Sequence, residues 1–242
     1  MSRSKYRAAL LRPLKKFLRW SSLRLEQAET AFARASLPQF ATPAAGLVIQ
    51  LPRVIQSPER IYLGSNVKFG PNSVLKVKTA YPGHWLRHPN GAHVEMTFDP
   101  VLHIGDRVTA TGGLEVTVYD RVTIEDDVTF AGNVFISDGN HASLRGDVPY
   151  KYQGIGSIAP IHIGRGSWIG KNAVILPGVS IGAHTIIGAN AVVSRDVPAG
   201  CIAVGMPART IRSWDAEQER WLRVDGASTH DGTVSSVTDV DA

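Results

Sequence analysis

The chain has 242 residues, a formal net charge of +5 and a single cysteine, Cys201. One cysteine excludes an internal disulfide and any zinc site built from several cysteines. The 23 glycines and 14 prolines, together with 19% charged residues, are typical of a turn-rich globular chain and exclude both a helical bundle and general disorder.

The positive charge is concentrated near the N-terminus. Residues 1–40 carry nine lysines and arginines against two glutamates, a net charge of +7, so that the remainder of the chain is net −2. This distribution argues against a body that binds nucleic acid. The sequence contains neither a long apolar run nor a secretory signal, and we expect a cytoplasmic protein.

Residues 1–45 are predicted to form a basic helical arm, because apolar residues recur there at helical spacing between lysines and arginines. The apolar residues that carry this pattern are Leu10, Leu11, Leu14, Phe17, Leu18 and Leu25. Two roles are open for such an amphipathic arm. It packs on its own body or on a neighbouring subunit, or residues 1–40 make peripheral contact with an anionic membrane at its inner face.

Residues 46–213 are predicted to form a parallel β-helix, because a six-residue repeat runs clearly from Ile161 to Val197. We expect the large aliphatic residue of each repeat to fill the interior and the small residue four positions later to fit near a corner. The aliphatic series is Ile163, Ile169, Ile175, Ile181, Ile187 and Val193, and the small series is Ser167, Ala173, Val179, Thr185, Ala191 and Val197.

The same repeat recurs upstream with two interruptions, near residues 78–100 and 138–160. Its upstream aliphatic and aromatic members are Leu63, Phe69, Leu75, Ile104, Ala110, Val116, Ile124, Phe130 and Ile136. Both interruptions are predicted to be loops, and loops on a rigid scaffold are where binding groups tend to lie. After residue 213 we expect a short helix from Trp214 to Val224 and a disordered tail over residues 225–242.

The segment "PIHIGRGSWIGKNAVILPGVSIGAHTIIGANAVVSRDVPAGCIAVGMPARTIR" resembles the C-terminal half of the hexapeptide-repeat acyltransferases. The resemblance is strongest to the maltose, galactoside and nodulation-factor O-acetyltransferases and their polysaccharide-modifying relatives. It is close over residues 120–213 and degenerate over residues 60–119. It implies an all-β fold, the left-handed β-helix, assembled as a homotrimer, with acetyl-CoA bound between neighbouring chains.

The resemblance also implies that His141, in "NVFISDGNHAS", is the catalytic base, and Asn133 fits the family's spacing. Histidine suits this role, because its side chain exchanges a proton near neutral pH. Asp138 is a candidate helper that orients the ring, as a carboxylate does in hydrolase triads. The alternative for Asp138 is a turn-forming role in "SDGN".

For the coenzyme, the resemblance points to small residues that let the pantetheine arm approach the backbone and to cations that meet the nucleotide phosphates. A tryptophan is expected to wall the active-site tunnel. These candidates are Trp168, Lys171, Gly188, Ala189, Ser194, Arg195, Arg209 and Arg212.

The acceptor side is less like the family. Thr111 and Tyr119 stand where the sugar O-acetyltransferases place an asparagine and an aspartate. His84 and Trp85, in the first interruption, are candidates for binding the acceptor together with Tyr119, or they only order that loop. The implied function is transfer of an acetyl group from acetyl-CoA to a hydroxyl of a sugar, polysaccharide or glycolipid precursor, without a metal.

Three alternatives remain open at this point. An N-acetyltransferase of a nucleotide amino sugar is the nearest. A γ-carbonic-anhydrase-like metalloenzyme would need a histidine pair on one coil, whereas His184 stands alone in "GAHTIIGAN". A non-catalytic trimeric scaffold is the third.

Overall fold

The computed structural model of the chain describes residues 24–25, 27–81 and 94–224. Residues 1–23 of the predicted arm, most of the first predicted loop and the predicted tail therefore lie outside the described residues. The described part contains the helix α1 over residues 24–35, without residue 26, and 3-10 turns at Pro58–Arg60 and Tyr150–Tyr152.

The rest of the described regular structure consists of short strands. They are β1 (Val48–Ile49), β2 (Arg53–Gln56), β3 (Ile61–Leu63), β4 (Lys68–Phe69), β5 (Ser73–Val77), β6 (Ala80–Tyr81), β7 (Met96–Thr97), β8 (Val101–Ile104), β9 (Thr109–Ala110), β10 (Glu115–Val118), β11 (Arg121–Ile124), β12 (Thr129–Phe130), β13 (Phe135–Ser137), β14 (Asn140–His141), β15 (Ile155–Gly156), β16 (Ile161–Ile163), β17 (Trp168–Ile169), β18 (Val174–Ile175), β19 (Ser180–Ile181), β20 (Ile186–Ile187), β21 (Val192–Val193), β22 (Cys201–Val204), β23 (Arg209–Asp215) and β24 (Arg220–Arg223).

Three sheets form the faces of a prism. Their strand orders are β1-β4-β9-β12-β17-β20-β22-β23-β24, β2-β5-β10-β13-β18-β21 and β19-β16-β11-β8-β3. Pairing is parallel throughout these sheets, except where β23 and β24 add antiparallel strands at the end of the first. This is the expected left-handed parallel β-helix.

The interior is a stack of apolar side chains in register from coil to coil. In the first sheet, Phe69 pairs with Ala110, Ala110 with Phe130, Phe130 with Ile169 and Ile169 with Ile187. All five side chains are buried, and the small Ala110 lies between two phenylalanines. A small residue between two phenylalanines leaves room for both rings in a closely packed interior. The predicted interior position of the repeat is confirmed.

The corners of the coils depend on residues with left-handed backbone conformation. Asn133, Asn172 and Asn190 have φ values of 61°, 58° and 58°, and each lies three residues after an interior aliphatic or aromatic residue. Asparagine tolerates this conformation better than most residues. The Asn172 side-chain amide also donates to Asn190 Oδ1 at 3.0 Å, so the corner asparagines join successive coils.

The N-terminal end of the prism is covered by α1 and the segment after it. Ala33 is buried, and Leu37 and Phe40 pack against the core. Leu25 and Phe32, in contrast, are exposed on α1. The described helix therefore packs partly on its own body. None of the helices in the described part of the chain has the length and apolar character needed to cross a bilayer.

The predicted helix from Trp214 to Val224 is wrong, because β23 and β24 form an antiparallel hairpin there. Trp214 pairs with Trp221, and their rings meet edge to face with centroids 5.5 Å apart. The Asp215 carboxylate accepts hydrogen bonds from the amides of Glu217 and Gln218 at 2.9 and 3.0 Å. A cross-strand aromatic pair and an aspartate turn together outweigh the weak helical pattern of this segment.

Candidate active site

His141 lies on a hairpin that leaves the prism after β13, an inner strand of the second sheet. Strand β13 ends at Ser137, and β14 then pairs antiparallel with β15, so that His141 lies opposite Ile155. The His141 side chain is exposed. The predicted second loop is thus ordered. The side chain of Gln153 stabilises it, donating to the carbonyls of Arg145 and Val148 at 2.7 and 2.6 Å.

The two predicted loops meet at His141. Tyr81, the last residue of β6, places its hydroxyl 3.3 Å from His141 Nδ1 and donates a hydrogen bond to the Lys151 carbonyl at 3.0 Å. On the returning strand β7, Met96 Sδ accepts a hydrogen bond from the Ile155 amide at 3.2 Å. The surroundings of His141 are therefore built from both loops, which are far apart in the sequence.

Asp138 is fully buried, and its carboxylate binds the backbone. Its two oxygens accept hydrogen bonds from the amides of Tyr119 and Asp120 at 2.7 and 2.8 Å. Burial raises the pKa of Asp138, and these amide donors oppose that rise. The predicted orienting contact with His141 is replaced by contacts that hold the turn between β10 and β11 against the start of the second loop.

Asn133 lies at a coil corner, exposed and in the left-handed conformation described above. Its amide donates to the Gly112 carbonyl at 2.9 Å, as the amide of Asn172 does to the Gly132 carbonyl one coil further on. The structure therefore gives Asn133 the same position in its coil as Asn172 and Asn190. A catalytic contribution from Asn133 remains a prediction.

Tyr119, a predicted acceptor-binding residue, packs beneath the second loop. A Cβ added at Gly139 would lie 2.7 Å from Cδ2 of Tyr119, so the ring is in close contact with the backbone two residues before His141. Its ring also meets Phe98 edge to face, and burial raises the pKa of Tyr119. The other two acceptor candidates, His84 and Trp85, lie outside the described residues.

The predicted coenzyme residues fall into groups on the prism. Lys171, Gly188 and Ala189 follow β17 and β20, at the corner where the first sheet gives way to the second, and the Asn190 amide donates to the Lys171 carbonyl at 2.8 Å. A Cβ at Gly188 would lie 2.7 Å from a Val204 methyl carbon, so this position requires a small residue.

The second group lies at the opposite corner of the six-stranded sheet. Ser194 and Arg195 directly follow β21, which pairs through β18 with β13, the strand that leads to His141. His141 therefore leaves the prism from the same corner, two coils away. The remaining candidates lie on the first sheet: Trp168 is 52% exposed on β17, and Arg209 and Arg212 are exposed on β23.

Cys201 lies in β22 within the core, and burial raises the pKa of its thiol. A buried thiol with a raised pKa is a poor nucleophile. Across residues 24–25, 27–81 and 94–224, no three histidine, cysteine, aspartate or glutamate side chains are placed to hold a metal ion.

Sequence reasoning did not identify Tyr81 or the Lys151 carbonyl as neighbours of His141. Tyr81 is 60 residues from His141 in the chain, and no motif joins them. The only available signal was that both predicted loops interrupt the repeat. That signal does not show that the two loops contact each other.

The comparisons with known proteins agree with this architecture. The family described as bacterial transferase hexapeptide (six repeats) matches residues 160–195. The chain is 35% identical over 144 residues to galactoside O-acetyltransferase of Escherichia coli strain K12, covering 58% of this chain and 66% of that protein. It is 27% identical over 175 residues to WbbJ of the same organism, which its name assigns to O-acetyl transfer in lipopolysaccharide biosynthesis. That match covers 70% of this chain and 83% of WbbJ.

A solved structure shows the same fold. AntD, an N-acyltransferase from Bacillus cereus in complex with dTDP and 3-hydroxybutyryl-CoA, superposes with a TM-score of 0.50 at 18% identity, covering 81% of this chain and 90% of that one. The repeat, the prism and the sequence relatives lead to one conclusion. The chain belongs to the hexapeptide-repeat acyltransferases.

Proposed function

We propose that this acyltransferase moves an acetyl group from acetyl-CoA to a hydroxyl of a sugar, polysaccharide or glycolipid precursor, with His141 as general base. The observation that carries the proposal is the placement of His141. His141 is exposed on the ordered second loop and is contacted by Tyr81 from the first loop. It lies at the corner of the prism that also bears Ser194 and Arg195. The two Escherichia coli relatives, named as O-acetyltransferases, support hydroxyl as the acceptor group.

The proposed reaction is a direct transfer within a ternary complex. His141 takes the proton of the acceptor hydroxyl as that oxygen attacks the thioester carbonyl carbon, and the imidazole becomes imidazolium. The carbon–sulfur bond then breaks, the coenzyme A sulfur accepts the proton from His141, and the ring returns to its neutral form. An acyl-enzyme on Cys201 is disfavoured because that thiol is buried and its pKa is raised.

The coenzyme is proposed to lie along the six-stranded sheet, between its two corners. Lys171, Gly188 and Ala189 at one corner offer backbone and a cation, and Arg195 at the other corner can bind a phosphate bidentately. Arg209 and Arg212 lie on β23, beyond the last coil, where their side chains are exposed, and we assign them to the nucleotide end of the coenzyme. Gly188 leaves the backbone accessible here, and a side chain at this position would collide with Val204.

We infer further that the working enzyme is a homotrimer in which a neighbouring prism closes this coenzyme site. Trp168 and Phe135 are 52% and 36% exposed on the first and second sheets of a single chain, on the two sides of the corner that bears Lys171. Exposed aromatic side chains of this size on a rigid sheet are typical of surfaces that another subunit covers.

The test of the base uses the full chain with acetyl-CoA and a panel of acceptors, with release of coenzyme A as the readout. His141→Gln should lower kcat by about 10²–10⁴-fold, the usual contribution of a general base. His103→Gln is the matched control, because His103 is an exposed histidine on a different sheet, and its activity should equal that of the wild type. Full activity of His141→Gln would overturn the assignment. Acetylation of amino sugars alone would favour the N-acetyltransferase.

Peripheral membrane contact through residues 1–40 is proposed on the net charge of +7 in that range and on the exposed Leu25 and Phe32. Removal of residues 1–23 combined with Leu25→Ser and Phe32→Ser should abolish co-sedimentation with vesicles of anionic lipid and spare activity on a soluble acceptor. The deletion ends before Leu37 and Phe40, because both pack against the core. Unchanged co-sedimentation would dismiss the contact.

A further inference from the structure

Tyr81 makes two polar contacts that together constrain the protonation of His141. Its hydroxyl lies 3.0 Å from the Lys151 carbonyl oxygen and 3.3 Å from His141 Nδ1. The two rings meet edge to face, with centroids 5.5 Å apart and an interplanar angle of 73°. The tyrosine is thus held between the backbone of the second loop and the imidazole.

A phenol has one proton to donate, and a carbonyl oxygen can only accept. The Tyr81 proton therefore goes to the Lys151 carbonyl, and the Tyr81 oxygen presents a lone pair to His141. The contact with Nδ1 is then a hydrogen bond only if Nδ1 carries the proton. A neutral imidazole has one N–H, so Nε2 is left with its lone pair.

We propose that Tyr81 is a positioning residue that holds neutral His141 in the Nδ1–H tautomer and so leaves Nε2 as the atom that takes the acceptor proton. The proposal rests on the role of His141 given above. It assigns to a tyrosine from the first loop the orienting task that a carboxylate performs in hydrolase triads. Asp138, the carboxylate near His141 in the sequence, is occupied by the amides of Tyr119 and Asp120.

The position of Tyr81 is fixed from two sides. Ala80 and Tyr81 pair antiparallel with Thr97 and Met96, so the hydroxyl is carried by a hairpin. That hairpin is fastened to the second loop, because the Ile155 amide donates to Met96 Sδ at 3.2 Å and Ile155 pairs with His141.

The packing between the two loops is close. Gly154 has a φ of 86°, and a Cβ there would lie 2.7 Å from Met96 Sδ. Burial also raises the pKa of Tyr81, which favours the protonated hydroxyl at neutral pH. The donor to Lys151 and the acceptor for Nδ1 are therefore both maintained.

The first measurement uses the wild-type chain with nitrogen-15-labelled histidine. The His141 signals are identified by their loss in His141→Gln, and we expect a protonated Nδ1 and an unprotonated Nε2 in the neutral ring. A proton found on Nε2 of neutral His141 would overturn the proposal without requiring any variant at Tyr81.

The second measurement uses Tyr81→Phe, which removes the hydroxyl and keeps the ring. In this variant, part of the neutral His141 should adopt the Nε2–H tautomer. We expect kcat to fall roughly 10-fold, less than the full contribution of a general base, and KM for acetyl-CoA to stay unchanged. Tyr62→Phe is the matched control, because Tyr62 stacks on His103 with centroids 4.7 Å apart, on another sheet. It should change neither kcat nor the His141 signals. Wild-type kcat and tautomer in Tyr81→Phe would contradict the proposal.

The two proposals fail in different ways. If His141→Gln retains full activity while wild-type His141 shows the Nδ1–H tautomer, the base assignment falls and the tyrosine contact stands. If His141→Gln is inactive while His141 carries its proton on Nε2, the base assignment stands and the role of Tyr81 falls.

Discussion

The turn beneath the proposed active site is organised around one buried carboxylate. The Asp138 carboxylate accepts hydrogen bonds from the amides of Tyr119 and Asp120, the last residues before β11. Asp138 lies three residues before His141. Charged or polar groups that are buried in this way are stabilising only while their partners are satisfied. The residue therefore links the backbone of one coil to the start of the second loop.

Asp138→Asn should destabilise the fold by about 1–3 kcal/mol, because the new amide group must present an N–H to a backbone N–H that needs an acceptor. The change is measured as the shift of the urea midpoint at constant slope. Since the role argued for Asp138 is structural, kcat of the folded variant should stay within a few-fold of the wild type.

The matched control is Asp99→Asn, because the Asp99 side chain is 92% exposed and forms a surface ion pair with Arg60. Such pairs contribute little, and stability should be unchanged. A loss of kcat by several orders of magnitude in Asp138→Asn, at wild-type stability, would instead support the predicted role of Asp138 as a partner of His141.

At the scale of the elements, the interior of the prism is predictable because its period is short and strict. Ile163, Ile169 and Ile175 recur every six residues and are all fully buried, and the small series that includes Ser167 and Thr185 is buried as well. The positions of the corners between the sheets can also be read from the sequence. The residue three positions after each interior residue is often Asn or Gly, as the left-handed φ of Asn172 and Gly166 requires.

The hydroxyls of Ser167 and Thr185, in the small series, have hydrogen-bond partners that composition alone does not reveal. Ser167 Oγ donates to the Gly182 carbonyl at 3.0 Å and accepts from the Thr185 amide at 3.2 Å, while Thr185 Oγ1 donates to the Pro198 carbonyl at 2.9 Å. These polar atoms are buried without loss because the corner supplies their partners.

The elements outside the repeat were predicted poorly, for physical reasons. The hairpin of β23 and β24 depends on the contact between Trp214 and Trp221 and on the Asp215 turn, which compete with a weak local helical pattern. The contact of Tyr81 with His141 is decided by how two loops pack on each other. Periodicity within either loop carries no information about that packing.

At the scale of the whole molecule, the predicted coenzyme residues do not enclose a site within one chain. Lys171 and Ala189 lie at one corner of the second sheet, and Ser194 and Arg195 lie at the other. The aromatic Trp168 stands beside the first corner with 52% of its surface exposed. A symmetric assembly that covers this region would bury the aromatic surface and give the coenzyme a second wall.

Trp168→Glu tests this assembly, because a carboxylate placed in an apolar contact between subunits would have to be buried without a partner. In size-exclusion chromatography with light scattering, we expect the wild type at about three times the chain mass of 26.1 kDa and the variant at the mass of one chain. Acetyl transfer should be lost together with the trimer, while thermal unfolding of the prism remains cooperative. Tyr62→Glu is the control, since Tyr62 is 39% exposed on the third sheet, away from the proposed contact, and should leave both mass and activity unchanged. Dissociation by Tyr62→Glu with an intact assembly in Trp168→Glu would place the subunit contact on the third sheet and overturn the proposed contact at Trp168.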